Sequence, residues 1–151
     1  MKKFLASIVA AAAVLSIAPA ATAATLTPTF DVDITLNTAC QMSTAPTNVS
    51  FTYTAFAGGA VSSTGGGFGV QCTNNLTYTL ALDSTSLTDD ATNLAYTLTL
   101  SAAGGTGNGS AQAYTIAGSM AAGQAGSCAA SAASCTNGAA TNKTRTLTVA
   151  Y

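Results

Sequence analysis

Apolar and polar residues alternate one for one through most of the chain beyond residue 24, and no stretch there carries the 3.6-residue period of an amphipathic helix. Side chains on a strand point to opposite faces in turn, so this pattern commits the chain to β-structure with one buried face per strand. The strictest stretch is Thr25 to Leu36. Leu26, Pro28, Phe30, Val32, Ile34 and Leu36 fall on one side, and Thr25, Thr27, Thr29, Asp31, Asp33 and Thr35 on the other. It is longer than a typical strand of about five or six residues, and it needs a sheet to dock on, in this molecule or in a neighbour.

The same period recurs in Val49-Phe51-Tyr53, Phe68-Val70-Cys72, Leu76 to Leu82, Leu94 to Leu100 and Leu147-Val149-Tyr151. Ala113 to Met120 reads as a weaker strand around Tyr114 and Ile116. Glycine-rich turns separate these segments, at Gly58-Gly59, Gly65 to Gly69 and Gly104 to Gly109, together with the long Ala121 to Asn142 stretch. One strand before Cys40 and about six after it predict a single all-β sandwich. A sandwich closed by its own C-terminal strand would need a seventh core strand after Tyr151. The sequence offers that candidate only at the other end, in residues 25–36.

The N-terminus reads as an export signal over residues 1–23. Lys2 and Lys3 precede the apolar run Phe4 to Ile17, and Ala21-Thr22-Ala23 supplies small residues for cleavage. The run is short for a membrane span of about 20 residues, and no later stretch is apolar for long enough. Removing the signal leaves Lys143 and Arg145 against Asp31, Asp33, Asp83, Asp89 and Asp90, a formal charge of −3. Without a basic patch, binding to nucleic acid is not expected. A surface of Thr, Ser, Asn, Ala and Gly suits a subunit packed into a polymer, and would equally suit a secreted coat protein.

Four cysteines in an exported chain point to disulfides, with three pairings open. Cys128 and Cys135 are close enough in sequence to close a small loop, which leaves Cys40 and Cys72 to join two strands. A metal site is a poor alternative, because the chain has no His and neither pair has CxxC spacing.

The order of these features resembles the spore coat protein U domain family, which includes subunits of archaic chaperone–usher pili. The likeness rests on Phe30-Asp31-Val32-Asp33-Ile34-Thr35-Leu36 running into Cys40, then Phe51-Thr52-Tyr53 and Gly67-Phe68-Gly69-Val70-Gln71-Cys72-Thr73. The Leu76 to Leu82 strand and Leu94-Ala95-Tyr96-Thr97-Leu98 follow. Ala122-Gly123-Gln124-Ala125-Gly126 then precedes the terminal Thr146-Leu147-Thr148-Val149-Ala150-Tyr151. The Cys128/Cys135 pair departs from the family pattern.

The resemblance implies an incomplete immunoglobulin-like β-sandwich lacking its last strand, with an N-terminal donor strand. The corresponding division is a signal at 1–23, a donor extension at 24–38 and a sandwich at 39–151. It implies a structural subunit of a cell-surface pilus, used for adhesion or biofilm formation. A periplasmic chaperone would fill the groove during export, and an outer-membrane usher would exchange it for the N-terminal strand of an identical or related subunit. Leu26, Pro28, Phe30, Val32, Ile34 and Leu36 would then plug the groove, and the carboxylate of Tyr151 would be gripped by the chaperone. A secreted spore or cyst coat protein of the same fold is the alternative.

No enzyme chemistry or cofactor is expected. Without His or Glu, the abundant Ser and Thr have no base to activate them. Asp31 and Asp33 share a face and read as the solvated side of a strand, and Asp89-Asp90 reads as a turn. Gly104-Gly105-Thr106-Gly107-Asn108-Gly109 lacks the Lys-Ser/Thr and the helix of a phosphate-binding loop, and is expected to be a mobile hairpin loop.

Overall fold

The computed structural model describes residues 23–128 and 132–151. The predicted signal at 1–23 lies almost entirely outside the described residues. Residues 36–151 make one compact unit. The described residues contain no α-helix, only a single 3-10 turn at Asn137–Ala139 and eleven strands. No helix among them is long and apolar enough to cross a membrane.

The larger sheet contains β1 (Cys40–Thr44), β5 (Gly67–Cys72), β10 (Ala111–Met120), β8 (Ala95–Leu100) and β7 (Ser86–Thr88) in that order, with β3 (Val61–Ser62) also paired to β10. The smaller sheet is β11 (Leu147–Ala150), β6 (Thr77–Leu82) and β9 (Gly104–Thr106), and a two-stranded ribbon joins β2 (Val49–Ser50) to β4 (Thr64–Gly65). Every pairing is antiparallel. Phe68, Val70, Cys72, Leu98 and Ile116 from the larger sheet and Tyr78 and Leu80 from the smaller form one core cluster. The architecture is an all-β sandwich of open sheets, consistent with an incomplete immunoglobulin-like domain.

The alternation foresees this core closely. In β6 the pattern Tyr78 in, Thr79 out, Leu80 in is the one the sequence carries, and in β5 Phe68, Val70 and Cys72 all point inward. Both disulfides form as expected, Cys40–Cys72 and Cys128–Cys135. Cys40 and Cys72 are direct cross-strand partners, with Cα atoms 4.1 Å apart, so that bridge fastens β1 to β5.

Three expectations change. The segment that reads as the weakest strand is β10, the longest, paired to β5 through Ala111–Thr115 and to β8 through Ile116–Ser119. Its Ala, Gly and Ser residues dilute the hydrophobic signal because a central strand needs room more than bulk. A Cβ on Gly118 would overlap the Phe51 ring. The glycine loop after Leu100 is partly a strand, since Gly104–Thr106 pairs with β6 as β9. Gly107 then sits where a Cβ would strike the Thr73 carbonyl and the Cys72 side chain. Finally, residues 25–36 form no strand.

Candidate functional site: an open groove and an exposed alternating segment

β11 pairs with β6 on one side only, so its other edge carries no ladder among the described residues. Leu147 and Val149 turn inward from β11 and Thr148 and Ala150 outward. An edge with free N–H and C=O groups beside an apolar surface is a template for another strand.

Such a surface adjoins β11. A groove of about 680 Å³ runs between the segment Pro46 to Tyr53 on one wall and Lys143 to Leu147 on the other. Its floor comes from Leu82, Tyr96, Leu98, Ile116 and Met120. The first wall is itself unfinished. Val49, Phe51 and Tyr53 are half-buried and alternate with exposed Ser50, Thr52 and Thr54, yet the ladder stops after Ser50. The strand predicted there exists as a side-chain pattern without a hydrogen-bonded partner beyond Ser50. Phe51 leans over the floor, its ring centroid 5.9 Å from that of Tyr96.

Hydrogen bonds rather than bulk hold the rest of this wall. The Tyr53 hydroxyl donates to the Ala121 carbonyl at 3.0 Å and accepts the Gln124 N–H at 2.8 Å. The Gln124 side chain closes the link to β8, accepting the Ala95 N–H at 2.6 Å and donating to the Ala95 carbonyl at 2.9 Å. The sequence places Gln124 only within the Ala122 to Gly126 motif of the family resemblance. Its structural role is not legible there, because a lone polar residue in an Ala/Gly run has no periodicity to flag it.

One end of the groove is anchored by carboxylates. Asp89, 4% exposed, lines it and accepts hydrogen bonds from the Thr92 N–H and hydroxyl at 2.7 and 2.8 Å and from the Ala91 N–H at 3.2 Å. Burial alone would raise its pKa, but the bonds from Thr92, Asn137 and Ala91 together hold it below the usual carboxylate value. Asp90 is held low by Thr141, whose N–H and hydroxyl both donate to it. Asn142 reaches back to the Thr88 carbonyl at 2.7 Å. The pair reads correctly as a turn. It also moors residues 137–142 to the loop between β7 and β8, which places Lys143 and Arg145 at the groove. Arg145 approaches Asp83 at 3.4 Å. Burial raises the pKa of Tyr96 in the floor, with Arg145 opposing and Asp89 and Asp83 adding to the rise. The described residues contain no cluster of three or more side chains suited to a metal ion.

Among the residues predicted to plug a groove, Leu26, Phe30, Val32, Ile34 and Leu36 are all exposed, at 71 to 90%. Pro28 is exposed as well. Such a row of large apolar side chains is rarely left in water without a destination. Tyr151 follows β11 directly and is 63% exposed. The sequence picks out this segment and the edge of β11. The floor and the cationic wall require the fold to bring them together.

An exposed apolar strand pattern and an open sheet edge over a groove define a class of β-sandwich domains built to associate. The family model described as "Spore Coat Protein U domain" matches residues 26–149. The chain belongs to this family, and is a structural subunit of the pilus or coat type. Comparisons with curated proteins and with solved structures found no match.

Proposed function

We propose that this protein is a fibre subunit that polymerises by donor-strand exchange, residues 26–36 of one copy filling the groove beside β11 of the next. The observation that carries the reading is the unpaired edge of β11 beside an open groove of mixed apolar and polar lining, in a chain with an exposed, alternating segment of strand length. In β-augmentation main-chain hydrogen bonds supply affinity and pockets for every second side chain supply register. Leu26, Pro28, Phe30, Val32, Ile34 and Leu36 are those side chains, and each large one is worth about 1.5–3 kcal/mol when fully buried. Pro28 sits near the start of the segment, where the missing N–H matters least to a ladder.

The exposed apolar row and the open edge favour a chaperoned route, in which a periplasmic chaperone occupies the groove and an outer-membrane usher exchanges it for the donor. Tyr151, exposed directly after β11 and next to the free edge, is the contact for the chaperone. The product is a surface fibre serving adhesion or biofilm formation. The family description favours a second reading, a coat layer made through the same joint, and the two differ in what the assembled form surrounds.

Deleting residues 24–36 tests the joint. The shortened chain is expected to bind the chaperone yet stay out of fibres, and fibres of normal length from it would refute the reading. Phe30→Asp or Ile34→Asp is expected to block assembly in electron micrographs while chaperone complexes form as before.

A further inference from the structure

The charged side chains of residues 23–151 are Asp31 and Asp33 in the exposed N-terminal segment, Asp89, Lys143 and Arg145 lining the groove, and Asp83 and Asp90 elsewhere in the folded unit. Lys143 and Arg145, the sole cations of residues 23–151, line the groove wall just ahead of β11. The remaining carboxylates already have partners: Asp83 meets Arg145, Asp89 is bound by Thr92 and Asp90 by Thr141. Lys143 is exposed and makes no ion pair among the described residues.

A donor strand of uniform alternation has a register problem. Sliding it by two residues keeps every apolar side chain facing inward and moves it only about 7 Å. Six consecutive apolar plugs therefore specify which face enters the groove, but only loosely how far the strand slides. Charges break such degeneracy, because a wrong register leaves like or unpaired charges side by side.

We infer that Asp31 and Asp33 of one copy set the register of the joint by pairing with Lys143 and Arg145 on the groove wall of the next copy. This rests on the donor-strand reading. With the even-numbered residues 26–36 turned into the groove, Asp31 and Asp33 fall on the outer face of the strand. Lys143 and Arg145, which line the groove, are the only cations of residues 23–151 that can meet them. Arg145 reaches the joint already steadied by Asp83, and Lys143 brings an uncompensated charge. The occupant this selects is a second copy of the chain, since its donor segment carries the two carboxylates that match the two cations.

The test uses full mature chains refolded at low ionic strength, with polymer growth followed by sedimentation and electron microscopy. One variant carries Asp31→Lys and Asp33→Lys, the other Lys143→Asp and Arg145→Asp. Each alone sets like charge against like charge and is expected to polymerise about tenfold or more slower than native. Mixed together they restore both matches, so alternating copolymers are expected at near-native rate. That advantage should vanish at about 1 M salt, where the Debye length is about 3 Å.

If Lys143→Asp/Arg145→Asp fails to fold, as judged by circular dichroism, the milder pair Asp33→Lys and Lys143→Asp replaces the two variants. Single variants that polymerise like native, or a mixture no faster than its components, would overturn the register proposal. Phe30→Asp separates the two levels. If it abolishes polymers while the charge variants have no effect, the donor strand stands and the charge register falls. If native chains polymerise and Phe30→Asp leaves them unchanged, or if native chains form no polymer, the donor-strand reading falls with it.

Discussion

At the scale of single residues, the fold depends on a few positions where size or protonation leaves no latitude. Gly118 lets the Phe51 ring lie against β10. Gly118→Val is therefore expected to lower stability by about 1–3 kcal/mol, read from the denaturant midpoint, because the ring has to leave its place. Tyr78 is 2% exposed, and its hydroxyl bonds to Tyr114 and, at 2.8 Å, to Gln112. Burial first, and then the bond to Tyr114, push its pKa from 10.0 to about 12. The unfolded chain gives up that proton near pH 10 while the folded chain keeps it. The stability due to Tyr78 is thus complete below pH 10 and is lost as pH rises towards about 12. Chemical unfolding across this range should show the decline, and Tyr78→Phe should flatten it. Asp89 works in the opposite direction. Its lowered pKa gives stability that is present above about pH 4, the ordinary carboxylate value, and is lost as pH falls through the folded value. Asp89→Asn should make the acid limb of the stability curve shallower.

At the scale of elements, pattern and pairing come apart in an informative way. β6, β8 and β11 were legible because each buries one face against the core and leaves the other in water. β5 was legible because Phe68, Val70 and Cys72 alternate with small or polar residues, although no residue of it is exposed. β10 was hard to read because its small residues serve close approach rather than apolar bulk. Val49 to Thr54 carries a strand's alternation but pairs only at Val49–Ser50, since a ladder needs a partner that periodicity cannot supply. Its position depends on the Tyr53–Gln124–Ala95 link. Gln124→Ala removes the side-chain half of that link and is expected to cost about 1–2 kcal/mol. The signature is faster hydrogen exchange at Ala95, whose N–H loses its acceptor. The disulfides act at this scale too. By the chain-entropy model, Cys40–Cys72, with a sequence separation of 32, contributes about 4 kcal/mol and Cys128–Cys135, with a separation of 7, about 2.5 kcal/mol. Replacing the first pair with serine should lower the melting temperature more than replacing the second.

At the scale of the whole molecule, a sandwich that buries Phe68, Val70, Tyr78 and Leu80 still leaves Val49, Phe51, Leu82, Tyr96 and Leu147 only half-buried along an open groove. Folding alone therefore does not cover all the apolar surface the sequence carries. Joining copies through the donor strand would remove both the groove and the exposed row from water at once. The assembled form is accordingly expected to melt well above the isolated subunit, by calorimetry on fibres against the Phe30→Asp variant. Equal melting temperatures would contradict a joint made in this way.

Legible in the sequence alone were the β-class of the fold, the inward face of most strands, the pairing of four cysteines and the alternation of residues 26–36. These follow from short-range rules: a period of two, turn residues and the small loop between neighbouring cysteines. The open edge of β11, and the meeting of Pro46 to Tyr53, Leu147 and both cations around one groove, came only from the folded chain. Those facts depend on residues some 100 positions apart meeting across the sandwich. No local period encodes such a meeting, because it is set by how the two sheets share one core.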